Sequence, residues 1–174
     1  MPEENQLGRF EQTLLPHLDA AYNLARWLTR NDHDAEDMVQ EAYLRASGSF
    51  GGFRGTDGRG WLLTIVRNTC DTWLRRNHAD QLSTPFDEEV HQEALASPNP
   101  EEQVLQNADR RQLQQALEQL PVEWREALVL REFEGLAYKE IADISGVPLG
   151  TVMSRLARAR NRLKEVLFRI AKKG

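Results

Sequence analysis

The sequence predicts an all-α fold: two small helical domains joined by a flexible acidic linker, with a helix-turn-helix in the C-terminal domain. Three observations carry this. Apolar residues recur at three- and four-residue steps over most of the 174 residues, the period of helices with one buried stripe. No segment of alternating β-branched residues reaches the length of a strand. Residues 77–102 interrupt the helical period with seven acidic residues, no Lys or Arg, and Pro85, Pro98 and Pro100. Such a segment reads as a linker with little regular structure. The expected domains are therefore 1–80 and 103–174, with the acidic linker at 81–102.

Taken in order, Leu14, Leu18, Ala21, Ala25 and Leu28 build one apolar stripe and predict a first helix. A second follows Asn31-Asp32-His33, with Asp34 as its N-cap and Glu36 and Asp37 at the positive end of its dipole. Ala35, Met38, Val39, Ala42 and Ala46 form its core face. Gly48 to Gly60 holds six of the eleven glycines and predicts a flexible loop. A third helix runs from about Gly60 to Asn77, with Leu62, Ile65, Val66, Thr69 and Trp73 inward. Beyond the linker, Val104, Ala108, Leu113, Ala116 and Leu117 predict a helix ending before Pro121. Another covers about Val122 to Phe133 and uses Trp124, Leu128 and Phe133.

Residues 136–168 then carry the strongest local signal. Ala142 is small enough to let a second helix cross close by, and Gly146 sits four residues later, where the turn needs a left-handed residue. Ile141, Val147, Val152 and Leu156 supply apolar contacts between the two helices, and Pro148 suits a first helical turn. On a helical wheel, Val152, Leu156, Ala159, Leu163 and Val166 share one face. Opposite lie Ser154, Ala157, Arg158 and Asn161, flanked by Met153, Arg155 and Arg162. A recognition helix enters the major groove with its N-terminal half, which makes Ser154 and Arg158 the base readers. Arginine can bond a guanine edge through two donors. Thr151, Arg155, Arg160 and Arg162 are placed for phosphates, which position a helix without reading sequence.

Composition narrows the remaining classes. The net charge of −5 hides an asymmetry: residues 84–118 carry 2 basic and 8 acidic side chains, whereas from Ser145 onward the count is 8 basic against 1 acidic. Segments of opposite charge suggest different partners. No run of about 18 apolar residues or secretory leader is present, so the expectation is a cytoplasmic chain without membrane insertion. A single cysteine, Cys70, excludes an internal disulfide framework. His17, His33, His78 and His91 stand away from any Cys-x-x-Cys, so no metal is expected. The glycines at 48–60 are followed by no Gly-Lys-Ser/Thr and preceded by no strand. No Ser/His/Asp arrangement or H-E-x-x-H occurs, so neither an enzyme nor a cofactor is expected.

From about Phe10 to Leu167 the chain resembles bacterial sigma factors of the extracytoplasmic-function (ECF) type. Asp34-Ala-Glu-Asp-Met-Val-Gln-Glu-Ala-Tyr-Leu-Arg-Ala46 is similar to the family's helix that docks on the β′ clamp helices of RNA polymerase. Phe53-Arg-Gly followed by Trp61-Leu-Leu-Thr-Ile-Val-Arg-Asn68 resembles the strand-opening segment. Leu120-Pro-Val-Glu-Trp-Arg-Glu-Ala-Leu128 resembles the start of the promoter-binding C-terminal domain, and Gly150-Thr-Val-Met-Ser-Arg-Leu-Ala-Arg-Ala-Arg160 its recognition helix. Met153 stands where the family often has Lys or Arg, and Ala157 where it often has His or Phe.

The resemblance implies an alternative sigma factor that directs core polymerase to promoters and aids strand opening. The core's β flap, promoter DNA and an anti-sigma factor are implied as further partners. Leu44 projects among Asp37, Gln40 and Glu41, an apolar anchor with a polar rim on the side the family turns to polymerase. Trp61, Thr64, Asn68, Thr72 and Arg75 share a second face of the third helix. An indole, amides and a guanidinium suit a single strand, giving a stacking platform, edge readers and a phosphate partner. The preceding loop, with Phe53, Arg54 and Arg59, can wrap a base turned out of the stack. Similar sigma factors capture an unpaired minus-10 base there, while Arg75 and Arg76 meet the backbone. The alternative function is a self-sufficient helix-turn-helix regulator, which would bind duplex without polymerase.

Overall fold

In the computed structural model, residues 2–53, 55, 57–77 and 109–173 are described. They are helical almost throughout, without a strand among them, and belong to two compact units. The linker expected at 81–102, the helix start expected near Glu101, and Arg54 all lie outside the described residues.

The first unit comprises α1 (Pro2–Leu14), α2 (Leu18–Thr29), α3 (Asp32–Ser49) and α4 (Gly58–Asn77). The stripe from Leu14 to Leu28 does not lie on one helix. Pro16 cannot supply its N–H to a continuing helix, and Leu15–His17 tighten into a 3-10 turn between α1 and α2. Arg30 closes α2 in the left-handed region at φ 63°, and its N–H donates to the Arg26 carbonyl at 2.8 Å. The cap of α3 is Asn31 rather than Asp34. The Asn31 side chain accepts the Asp34 N–H at 3.0 Å, so the helix begins three residues earlier than expected. Ala35, Met38, Ala42 and Ala46 are buried, but Val39 only half so. Small alanines let α3 lie close against α2 and α4, both of which it contacts extensively.

The predicted glycine loop is shorter than its composition implied. Gly48 and Ser49 continue α3, Phe50–Gly52 form a 3-10 turn, and α4 starts at Gly58. The Asp57 carboxylate accepts the Gly60 N–H at 3.0 Å. Gly58 must be glycine for space: a Cβ there would sit 2.8 Å from the Thr13 carbonyl oxygen. Leu62, Leu63, Val66, Thr69, Cys70 and Leu74 form the buried face of α4, so Ile65 and Trp73 sit at its margin and not in the core.

The elements that follow are α5 (Arg110–Glu118), α6 (Val122–Leu128), a π-turn (Val129–Phe133), α7 (Tyr138–Ser145) and α8 (Leu149–Lys173). Asp109 and Gln112 cap α5 reciprocally, each side chain taking the other's backbone N–H. The helix expected through Phe133 changes to π geometry after Leu128. The wider π turn rotates the apolar face, so Val129 and Leu130 are buried while Phe133 is exposed; Trp124, in α6, is half-buried. Arg125 is almost fully buried and donates to the Glu118 and Leu120 carbonyls, both at 3.3 Å. It satisfies the free end of α5 from within the core.

Candidate nucleic-acid interface

The helix-turn-helix is built as the sequence implied. Gly146 adopts φ +69°, the conformation its lack of a Cβ permits, and the Val147 N–H closes α7 on the Ala142 carbonyl at 3.2 Å. The Pro148 carbonyl then accepts from Thr151 at 3.0 Å and Val152 at 3.3 Å, which starts α8. Val152, Leu156, Ala159, Leu163 and Val166 are all buried, and Leu167 joins them. The opposite side is accessible: Asn161, Arg162 and Met153 are exposed, and Thr151, Ser154, Arg155, Ala157 and Arg158 are half-buried.

Arg160 is engaged by neighbouring side chains of its own unit. Its guanidinium donates to Glu132 at 2.9 Å, bridging α8 to the π-turn. Burial pulls its pKa down, but hydrogen bonds to Glu132 and Tyr138 and their charges outweigh this, and the net direction is up. Arg131 continues the cluster, donating to the Leu136 carbonyl at 2.8 Å and lying 4.8 Å over the Tyr138 ring. Arg131, Glu132, Tyr138 and Arg160 thus fasten the recognition helix to the elements before it. Residue spacing gave no signal for this cluster, because Glu132 and Arg160 are 28 residues apart. Arg125 could have been found: it falls between Val122 and Val129 at helical spacing, on the apolar face of α6.

On the first unit, Trp61 belongs to an aromatic cluster. Its ring lies 4.8 Å from Phe53 and 6.0 Å from Phe50, and Phe50 packs on Phe10 at 5.2 Å. Phe10 in turn meets Tyr43 at 4.9 Å, and Arg9 lies 5.5 Å over Phe50. Trp61 is half-buried, so Phe53 covers part of its surface and an accessible part is left. Along the same face Asn68 is exposed, and Thr64 and Thr72 donate their hydroxyls to the Gly60 and Asn68 carbonyls. Arg75 is exposed and paired with Asp71 at 3.0 Å; Arg76 is exposed and Arg59 half-buried.

The third surface lies on α3. Leu44 is 71 % exposed, the most open large apolar side chain of the described residues. Asp37, Gln40 and Glu41 are exposed around it. Glu41 is held by Arg45 at 2.7 Å, and Arg45 reaches across to the Thr69 hydroxyl at 3.3 Å, tying this face to α4. His33 stands 3.6 Å from Asp37. Among the described residues, no cluster of His, Cys, Asp or Glu side chains could hold a metal ion, and no helix is long and apolar enough to cross a membrane.

Comparison with known proteins joins these surfaces. Residues 14–79 match Sigma-70 region 2, and residues 110–163 match Sigma-70 region 4. The chain is 36% identical over 165 residues to the ECF RNA polymerase sigma factor SigE of Mycolicibacterium smegmatis, with 95% of this chain and 64% of that protein covered. It is 34% identical to the RNA polymerase sigma-H factor of Pseudomonas aeruginosa, covering 91% of this chain and 86% of the other. Against the sigma factor RpoE of Bartonella quintana, solved with the anti-sigma factor NepR, the TM-score is 0.70 at 31% identity. That match covers 92% of this chain and 97% of that one. Two sigma regions in family order, with relatives matched across nearly the whole chain, place it in the family of ECF RNA polymerase sigma factors.

Proposed function

We propose that this chain binds core RNA polymerase, carries it to a defined set of promoters and helps part the strands, performing no bond chemistry itself. The observation that carries this is the recognition helix. A left-handed Gly146 and a buried stripe from Val152 to Val166 leave Ser154 and Arg158, both half-buried, on the opposite face of a helix in a segment matching region 4. In this reading the second domain, 103–174, reads the minus-35 element and meets the β flap. The first, 1–80, docks Leu44 with Asp37, Gln40 and Glu41 on the β′ clamp helices. Phe53, Arg54, Arg59, Trp61, Asn68, Arg75 and Arg76 engage the minus-10 strand. The linker at 81–102, rich in negative charge, follows the basic path that later holds RNA. The chain works in the cytoplasm, and an anti-sigma factor is a fitting partner because the similar RpoE is solved with one.

Transcription in vitro with core polymerase and a genomic promoter library tests the proposal. The expected result is a set of start sites that require both core and this chain and share two upstream elements. Tight binding of promoter duplex by the chain alone, with no polymerase-dependent starts, would overturn it in favour of a self-sufficient regulator.

A further inference from the structure

Two rows of side chains run side by side along the start of α8. Ser154 and Arg158, four residues apart, form the row assigned to base edges. Leu149, Met153 and Ala157 form a parallel row at the same spacing, and this one is apolar. Leu149 is 48% and Met153 53% exposed, so the row is open to whatever the helix meets. Its surroundings are basic, with eight cationic residues against one anionic from Ser145 onward. A polyanion matches that charge, and an apolar row on it needs an apolar feature in the polyanion. In the major groove the C5-methyl of thymine is that feature on the base edges.

We infer that Met153, supported by Leu149, reads a thymine methyl in the upstream promoter element and is a specificity-determining residue of this chain. The inference rests on the promoter-reading function proposed above. Ala157 is small and half-buried, which leaves the flexible thioether of Met153 room to lie along the groove floor. Met153 and Arg158 are five residues apart, about 7.5 Å along the helix. That is about two base-pair steps, so the thymine lies within about two base pairs of the guanine read by Arg158.

The test uses holoenzyme reconstituted from the full chain and core polymerase, with promoters selected from a pool randomised across the upstream element. Wild type is expected to enrich thymine within about two base pairs of a guanine whose preference Arg158→Ala removes. Deoxyuridine at that thymine position, which lacks only the methyl, is expected to weaken binding about fourfold, the effect of one buried methyl group. Met153→Ala should bind the thymine and uracil promoters equally, whereas Met153→Leu should keep the discrimination. Equal binding of the two promoters by wild type, with the guanine preference intact, would overturn the methyl reading and leave the proposed function standing. Retained thymine discrimination by Met153→Ala holoenzyme would overturn it as well by separating the row from the methyl contact. Failure to enrich any base across the element would overturn the proposed function and this inference together.

Discussion

Arg160 and Glu132 offer a prediction with an unusual sign. Their bridge is 2.9 Å long, with the side chains 30% and 54% exposed, so solvent screens much of the attraction. Exposed pairs contribute about 0.2–1 kcal/mol, and the partial burial of Arg160 places this one toward the upper end. A double-mutant cycle over Arg160→Ala and Glu132→Gln, read by denaturant unfolding, should therefore give a coupling of about 0.5–1 kcal/mol. Promoter binding responds in a second way. One phosphate contact contributes about 0.9 to the slope of log affinity against log salt, or about 3.5-fold in affinity over a fourfold change in salt. Because Glu132 already compensates Arg160, Arg160→Ala should leave the slope of holoenzyme binding nearly unchanged. Glu132→Gln releases the guanidinium and should steepen the slope by up to about 0.9, tightening binding on all promoter sequences at low salt. Filter binding or anisotropy across a salt series measures both. A slope flattened by about one unit in Arg160→Ala, with no coupling to Glu132, would refute the reasoning and restore Arg160 as a direct phosphate contact.

Three further outcomes are expected. Leu44→Arg should leave circular dichroism and unfolding within about 0.5 kcal/mol of wild type, as for a surface change. It should nevertheless abolish co-purification with core polymerase, and normal co-purification would remove Leu44 from the interface. Asn68→Ala should reduce open-complex formation by about 0.5–1.5 kcal/mol, one lost hydrogen bond, and recover on a template mismatched across the opening region. Permanganate footprinting would show this, and equal opening of duplex by mutant and wild type would refute it. Gly58→Ala should destabilise the first unit by about 1–3 kcal/mol, because the new Cβ meets the Thr13 carbonyl; an unchanged unfolding midpoint would show that the backbone gives way.

How far the sequence could be read depended on the range of each interaction. The α8 stripe and the Gly146 turn were legible because period and backbone geometry are local properties. Leu44 was legible as an apolar side chain at a polar wheel position. Pro16 interrupts the run with a 3-10 turn, whereas the stripe on either side of it predicts one continuous helix. The cap expected at Asp34 falls on Asn31 instead, because both are good capping residues and only geometry selects between them. The π-turn was hidden because one extra residue in a helix leaves composition unchanged while shifting the buried face from Phe133 to Val129 and Leu130. Trp61 was read for its outward surface. Its packing on Phe53 and Phe50 depends on the turn between α3 and α4, and glycine content alone had suggested a looser loop there.

The length of α8 has a mechanical consequence. Leu149–Lys173 is one uninterrupted helix of 25 residues, so its reading turns and its cationic end move as a single lever. Ser154 and Lys172 are separated by about 27 Å of rise, more than twice the ~12 Å width of a major groove. With the first turns seated among the bases as proposed, the far end would emerge well outside the groove and bring exposed Arg169, Lys172 and Lys173 with it. A tilt of only about 10° at the seated end would swing that tip by roughly 5 Å over this length. The docking angle at the promoter is thereby magnified into a displacement elsewhere on the complex.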